Sequence, residues 1–233
     1  MNKIIIIPTY NEEENIEKII FEIQKLNCPL LVVDDNSVDK TREIVEKYVD
    51  DKNIFILKRA GKMGLASAYI DGFRFAIQKG FDCFIEMDAD FSHNPKYLST
   101  MFKELEENDV VIGSRNVKSG GVLGWSFLRN FISKGGSIYS QLVLNCPIKD
   151  LTGGFNGWKK EVLDSIGLEN IISKGYCFQI EMKYRAFKKG FKIKEFPIIF
   201  EDRKFGKSKM NKAIFFEALL NVLKIRFNIR KGV

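Results

Sequence analysis

Residues 3–13 read KIIIIPTYNEE: four isoleucines in a row stop at a proline and open into a polar turn. A short apolar run bounded by turn residues is the pattern of a strand buried on both faces. The next stretch, Glu12 to Leu26, places Ile16, Ile19, Ile20 and Ile23 on one helix face. The alternation then repeats. Strands are predicted over Lys3–Ile7, Leu30–Val33, Ile54–Leu57, Cys83–Met87 and Val110–Gly113. Helices are predicted over Asp39–Val49, with Ser37 as its cap, over Met63–Lys79, ended by Gly80, and from Pro95 onward. Strand and helix in alternation imply parallel strands with right-handed crossovers, hence a doubly wound α/β sheet with helices on both faces.

In such a sheet ligands bind beyond the carboxyl ends of the strands. Three polar clusters fall there: Pro8-Thr9-Tyr10-Asn11-Glu12, Asp34-Asp35-Asn36-Ser37 and Asp88-Ala89-Asp90. Their convergence on one edge points to a site. The second half is less regular. A glycine-rich loop at 120–124 precedes an amphipathic stretch from Trp125 to Leu144. A short strand is expected near Phe155–Lys159, a helix over Phe178–Lys188 and extended chain over Lys192–Glu201. The tail from Lys209 to Lys231 reads as an amphipathic helix, to be packed on the core or laid on a membrane surface. The division expected is a catalytic domain over 1–208 and that helix over 209–233.

Composition narrows the classes. A chain of 233 residues with 45% hydrophobic and 29% charged residues suits one sizeable globular core. No stretch reaches the roughly 18 apolar residues that a membrane span needs, and the start lacks a signal-peptide plan. A cytoplasmic protein lying against a membrane face is the expectation. Four scattered cysteines without a CxxC pair, and a single histidine, argue against an ordinary zinc site. The net charge of +7 is unevenly spread: Val110 to Lys149 holds no acidic residue, and Glu217 is the only acid from Arg203 to the end. Such segments point to an anionic partner, whether phosphate, lipid headgroup or nucleic acid.

Two carboxylates one residue apart, as at Asp88 and Asp90, suit a hard cation, Mg²⁺ or Mn²⁺, that shares its shell with a diphosphate. The plainer alternative is a cap for the helix after Pro95. In the Asp34-Asp35 pair, one carboxylate is expected to bind base or ribose and the other to be structural. Lys58, Arg59, Lys62 and Gly64 are either diphosphate ligands or ordinary loop charges. His93 is weighed as a turn residue rather than a metal ligand.

PTYNEEENI, VVDDNSVDKT, GLASAYIDGF, MDADFSHNP, GSR, DLTGGFNGW and DRKFGKSK occur here in one order and spacing. Together they resemble the dolichol-phosphate (polyprenyl-phosphate) mannosyltransferases of glycosyltransferase family 2, in the short form without transmembrane helices. The segment GGVLGWSFLRNFISKGG resembles that family's acceptor loop. The resemblance implies a GT-A fold and inverting transfer of a hexose, mannose from GDP-mannose first among them, to a polyprenyl monophosphate. It implies a nucleoside site at Pro8, Tyr10, Glu12, Val33 and Asp35, and a metal and diphosphate site at Asp88, Ala89, Asp90 and Ser92. It places Arg115 near the sugar diphosphate, Arg129 and Ser133 at the lipid phosphate, and Lys174, Arg203 and Lys209 over the phosphates. Asp90, Arg115, Arg203 and Lys209 are the residues expected to act in catalysis. The partners implied are a nucleotide-sugar, a lipid phosphate, a membrane surface and a small membrane subunit, with no nucleic acid.

Chemistry read from below agrees. A phosphate monoester is mostly a dianion at neutral pH, so the acceptor needs no general base. The site must align two anions and supply cations. Three rivals stand beside this reading: the same fold with UDP-glucose or a polysaccharide or protein acceptor, a non-catalytic nucleotide-sugar-binding subunit, and a phosphoacceptor signalling domain. The intact Asp88, Asp90, Arg115 and Arg203 oppose the second. The acidic pair after the second strand, rather than the first, opposes the third.

Overall fold

The structure, a computed structural model, describes residues 1–49, 53–202 and 219–227, apart from the side chains of Leu128 and Tyr176. Nine strands form two sheets among these residues. The large sheet runs β3 (Ile54–Lys58), β2 (Leu30–Asp34), β1 (Lys3–Thr9), β4 (Cys83–Glu86), β7 (Asn156–Lys159), β5 (Val110–Ser114) and β8 (Ile193–Pro197). All its neighbours pair in parallel except β7, which lies antiparallel between β4 and β5. The sheet is therefore mostly parallel, as expected. The exception has a plain origin: the crossover from β4 to β5 leaves one strand position open, and a short later segment fills it. A small parallel pair, β6 (Gly121–Leu123) with β9 (Ile199–Glu201), stands apart.

The isoleucine run of β1 explains the layers. Ile4 and Ile6 point into one core with α3 (Leu65–Gln78), α6 (Lys160–Ile166) and α7 (Tyr176–Lys188). Ile5 and Ile7 point into the other with α1 (Ile16–Gln24), α2 (Thr41–Glu46) and α4 (Leu98–Glu107). Successive strand side chains take opposite faces, so a strand sandwiched by helices is apolar throughout. α3 comes close because it offers small residues; a Cβ at Gly72 would lie 2.8 Å from the Ile6 side chain.

Two helix starts differ from expectation. α1 begins at Ile16, since Asn15 and Ile16 first close a turn on the Glu12 carbonyl at 3.0 and 2.9 Å. Ser37 does not cap α2. Its hydroxyl oxygen accepts the Asn11 N–H at 3.0 Å, and Asp39 takes the Thr41 N–H instead.

α5 (Phe127–Leu144) is turned inside out. Ser137 and Ser140 are buried against the protein, while Phe127, Phe131, Ile138 and Leu142 are 87, 67, 56 and 76% exposed. At 3.6 residues per turn those four side chains form one stripe. Residues 219–227 are helical and pack beside α5: the Tyr139 hydroxyl donates to the Leu219 carbonyl at 3.1 Å, and Arg226 donates to the Val143 carbonyl. Val222 and Ile225 enter the core, whereas Leu220, Leu223 and Phe227 remain exposed. The rest of the tail expected as helix, together with the boundary at 208, lies outside the described residues. Among those described, no helix is long and apolar enough to cross a membrane.

Candidate active site

The sheet changes direction between β1 and β4: β2 and β3 are added on one side of β1, and the later strands on the other. A crevice opens at such a switch point, beyond the carboxyl ends of the strands. The Asp35 N–H donates to the Thr9 carbonyl at 2.9 Å and the Met87 N–H to the Ile6 carbonyl at 3.2 Å, which keeps the three strand ends in step. The clusters after β1, β2 and β4 therefore stand side by side.

On the β1–β2 side, Pro8 pairs in register with Val33. The Tyr10 ring lies under the Lys62 ammonium at 3.6 Å, and Glu12 accepts from the Asn15 amide at 2.9 Å. The two aspartates take different work. Asp34 is wholly buried and structural, held by Arg42, by the Ser37 N–H at 3.1 Å and by the Thr9 hydroxyl at 3.3 Å. Asp35 draws in the following loop, accepting from Arg59 at 2.6 Å, the Met63 N–H at 2.9 Å and the Gly64 N–H at 2.8 Å. Gly64 sits at φ 94°, a conformation that favours glycine. Arg59 is also bonded to Asp71 and Ser67, and Lys58 pairs with Glu46. These two cations thus hold protein carboxylates, as loop charges do.

At the end of β4 the chain turns sharply through Asp88-Ala89-Asp90, with Phe91 at φ 61°. The Asp88 side chain is 37% exposed and Asp90 is buried beneath it. Ser92, expected as a metal ligand, is engaged with Asp90. Ser92 is buried, and both its hydroxyl and its N–H donate to one Asp90 oxygen, so it orients Asp90. His93 is also a support. Its Nδ1 accepts the Asp88 N–H at 3.1 Å, and its ring stacks on Phe155. Burial pushes its pKa down to about 4, so it is neutral with the proton on Nε2. Among the described residues no three or more His, Cys, Asp or Glu side chains are grouped so that they could hold a metal ion by themselves. Two hard carboxylates on one turn, one of them open to solvent, nonetheless fit an ion that completes its shell with water and diphosphate.

Opposite stand the arginines. Arg115, just after β5, grips Asp150 with Nε and Nη2 at 2.7 Å each, and Nη2 also reaches Thr152 at 2.9 Å. Burial opposes the charge on both partners, and their attraction more than offsets it. The Arg115 pKa is raised, and Asp150 is held well below the usual carboxylate range. The Arg115 guanidinium lies 5.7 Å from the Trp125 ring and 5.5 Å from Phe200. Arg129 lies over the same indole at 4.2 Å and pairs with Asp202 at 2.8 Å. Ser133 lines a cavity of about 200 Å³ with Arg115, Asn116, Asn130 and Lys134. Lys174 is exposed before α7, and no hydrogen bond or ion pair among the described residues joins it to this cluster. Arg203 and Lys209 lie outside the described residues.

The structure thus brings together Tyr10, Asp35, the Asp88–Asp90 turn, Arg115, Arg129 and Ser133 at one edge. Asp150, Trp125, Phe200 and Asp202 are given no role by the sequence. Asp150, Trp125 and Asp202 lie within DLTGGFNGW, GGVLGWSFLRNFISKGG and DRKFGKSK; Phe200 has no such signal and becomes visible only when β9 is seen beside β6.

With this geometry in hand, comparison with known proteins is informative. The profile described as Glycosyl transferase family 2 matches residues 4–167. A polyprenol monophosphomannose synthase of Mycolicibacterium smegmatis is 39% identical over 225 residues, covering 94% of this chain and 84% of that protein. An undecaprenyl-phosphate mannosyltransferase of Micrococcus luteus is also 39% identical over 225 residues, covering 95% of this chain and 93% of the other. Among solved structures, glucosyl-3-phosphoglycerate synthase from Mycobacterium tuberculosis, with Mn²⁺, UDP-glucose and phosphoglyceric acid, superposes with a TM-score of 0.69 at 16% identity. That match covers 96% of this chain and 78% of the other. A mannosyltransferase from Pyrobaculum calidifontis with GDP-mannose and Mn²⁺ superposes at 0.62, also at 16% identity, over 100% of this chain and 64% of that one. At such identity these two structures speak for the fold alone.

Proposed function

The chain belongs to glycosyltransferase family 2, and from that premise we propose that it transfers mannose from GDP-mannose to the phosphate of a polyprenyl phosphate at a membrane surface, with inversion. The carrying observation is a site with two chemical sides. The Asp88 carboxylate is open to solvent with Asp90 buried beneath it, and Asp88 is close enough to Arg115 to favour its charge, while Arg115 lines a cavity with Ser133 and Lys134. The names of the two 39% identical relatives point to the same substrate class.

The division of labour follows. Pro8, Tyr10, Glu12, Val33 and Asp35 form the nucleoside side. Asp88 and Asp90 would hold Mg²⁺ or Mn²⁺, with Ala89 between them. Such an ion offsets charge on a departing nucleoside diphosphate. Arg129 and Ser133 receive the acceptor phosphate; Arg115, which the motifs put near the sugar diphosphate, lines the same cavity as Ser133 and is assigned to the acceptor phosphate with them, and Lys174, Arg203 and Lys209 are assigned to the phosphates by motif. The acceptor oxygen arrives already deprotonated, since the second phosphate pKa is about 6. The protein has no proton to remove; it aligns that oxygen behind the anomeric carbon and steadies the negative charge of both substrates. A direct displacement inverts the anomeric centre.

The lipid reading is supported by α5. Asn130, Ser133 and Lys134 of this helix line the cavity beside Arg115. The adjoining face carries the exposed stripe Phe127, Phe131, Ile138 and Leu142. A helix that buries serines and exposes phenylalanines is built for an apolar neighbour on its outer side. A bilayer provides it, and delivers a phosphate at the right depth. This arrangement supports a peripheral association with a membrane face.

The test is direct. Purified protein is incubated with labelled GDP-mannose, UDP-glucose and related donors, a short polyprenyl phosphate and divalent metal, and lipid products are identified by mass spectrometry. A β-linked mannosyl phospholipid formed from GDP-mannose is expected. Transfer only from another donor, or only to a water-soluble acceptor, would overturn the reading.

A further inference from the structure

Lys183 stands in the middle of α7 with none of its surface exposed. A buried ammonium persists only where its protons are well received. Its Nζ donates to three carbonyl oxygens of one turn: Asp150 at 2.9 Å, Leu151 at 3.4 Å and Gly153 at 2.7 Å. The same stretch is held from β8 by Glu195, whose two oxygens accept the N–H of Lys149 at 2.8 Å and of Asp150 at 2.9 Å. Peptide N–H groups thus meet an anion and peptide C=O groups meet a cation. Between them the Gly153 N–H closes on the Asp150 carboxylate at 2.9 Å, and that carboxylate grips Arg115.

A simpler role would be to neutralise the buried Glu86. The contacts speak otherwise. The Glu86 carboxylate takes its hydrogen bond from Asn156 at 2.7 Å, and among the described residues no ion pair joins it to Lys183. All three hydrogen bonds of the ammonium go to the turn.

We infer that Lys183 is a positioning residue for transfer: by fixing the 150–153 turn it sets the Asp150 carboxylate, and through it the Arg115 guanidinium, at the phosphate-binding cavity. This rests on Arg115 meeting a substrate anion in the proposed reaction, and not on that anion being a lipid. The charged groups around Lys183 are Asp150, Glu86 and Glu195, which favour its charge, and Arg115, which opposes it. Burial outweighs them and brings its pKa down to about 8, so the clamp weakens at alkaline pH.

Hydrogen exchange at the Arg115 Nε–H, followed by NMR with selectively ¹⁵N-labelled arginine, reads the restraint without reference to product. The Nε–H of Arg59, bonded to Asp71 at 3.1 Å, is an internal control remote from the turn. Lys183→Met removes the charge at similar volume, and Lys183→Gln keeps a donor without charge. In folded Lys183→Met, exchange at Arg115 is expected to quicken by about tenfold or more while Arg59 is unchanged, with the glutamine variant between. The Michaelis constant for the phosphate acceptor should rise while nucleotide affinity holds. Unchanged Arg115 exchange in a folded variant overturns the inference. Loss of the fold in both variants overturns it too, because Lys183 would then be a stability residue alone. If wild-type protein glycosylates no lipid phosphate, the function proposed above fails while the exchange result still stands.

Discussion

The Arg129 guanidinium and the Asp202 carboxylate, 73 residues apart in the chain, meet at 2.8 Å. This contact ties the first turn of α5 to the end of β9. Trp125 lies between Arg129 and Arg115 and touches Phe200 at 5.3 Å, so two arginines share one aromatic wall. Arg129 is held by a carboxylate it can exchange for a phosphate, while Arg115 is locked to buried Asp150.

Under the proposed function the more open Arg129 is an acceptor residue, to be set against Asp35 on the donor side. Arg129→Ala should raise the Michaelis constant for lipid phosphate by about tenfold, the equivalent of roughly 1.4 kcal/mol for a charged hydrogen bond. Nucleotide-sugar affinity, measured by calorimetry, should stay near that of the wild type. Asp35→Asn is the proper comparison, because Asp35→Ala would strand the buried Arg59. It should weaken the nucleotide-sugar and spare the acceptor. Equal loss of donor affinity in both variants would show the assignment of α5 to be wrong.

Asp88→Asn and Asp90→Asn bear on the metal. Both keep the shape of the turn and remove the negative oxygens that a hard cation needs. Chelation should abolish transfer, Mg²⁺ or Mn²⁺ should restore it, and either variant should raise the metal concentration for half activity. Full transfer after exhaustive chelation would remove the metal from the mechanism.

These residues were legible in different degrees. The strands of the first half could be read because four isoleucines in β1 have no place except between two helical layers. The antiparallel run of β7 could not, because hydrophobic periodicity carries no direction. The stripe on α5 is visible as spacing, but which face turns outward depends on contacts outside the helix, such as Ser137 with Thr152 and Tyr139 with the Leu219 carbonyl. Asp88 and Asp90 announced themselves as a pair one residue apart. Asp150 did not, since its role lies in an arginine 35 residues earlier. Arg59 was readable two ways for a related reason: a polar residue near a site is as often its support as its ligand, and its partners Asp35, Asp71 and Ser67 are visible only in the fold.

The buried groups beneath the carboxylate turn predict an unusual response to pH. Burial pushes the Glu86 carboxyl up from 4.5 to about 7 and the His93 imidazole down from 6.5 to about 4. Between pH 4.5 and 6.5 the folded chain holds a proton on Glu86 that the unfolded chain lacks, which favours folding at lower pH. The unfolded chain holds one on His93 that the folded chain lacks, which favours folding at higher pH. The two slopes oppose each other. In urea titrations with chelator, Glu86→Gln should lose stability relative to wild type as pH falls from 6.5. His93→Gln should lose it as pH rises from 4.5 to 7. Each slope is bounded by about 1.4 kcal/mol per pH unit. Variants that run parallel to the wild type would contradict the protonation states assigned here.

The membrane prediction concerns α5 and the neighbouring 219–227 helix. A polyprenyl chain does not leave the bilayer cheaply, since each CH₂ brought into water costs about 0.8 kcal/mol. The enzyme must therefore go to the lipid. Phe127, Phe131, Ile138 and Leu142 on α5, with Leu220, Leu223 and Phe227 beside them, are exposed apolar side chains on two helices in contact. Lys134 and Lys224 lie exposed among them, in positions to meet anionic headgroups at roughly 1 kcal/mol each, screened by salt. The intact chain should cosediment with anionic liposomes, less so as salt rises. Phe131→Glu with Leu142→Glu should abolish binding and cut transfer to lipid embedded in vesicles. The same variant should keep its activity on a short acceptor in detergent, because neither residue lines the cavity. Indifference of the wild-type chain to anionic liposomes at low salt would refute direct docking and leave the stripe to a membrane-embedded partner subunit.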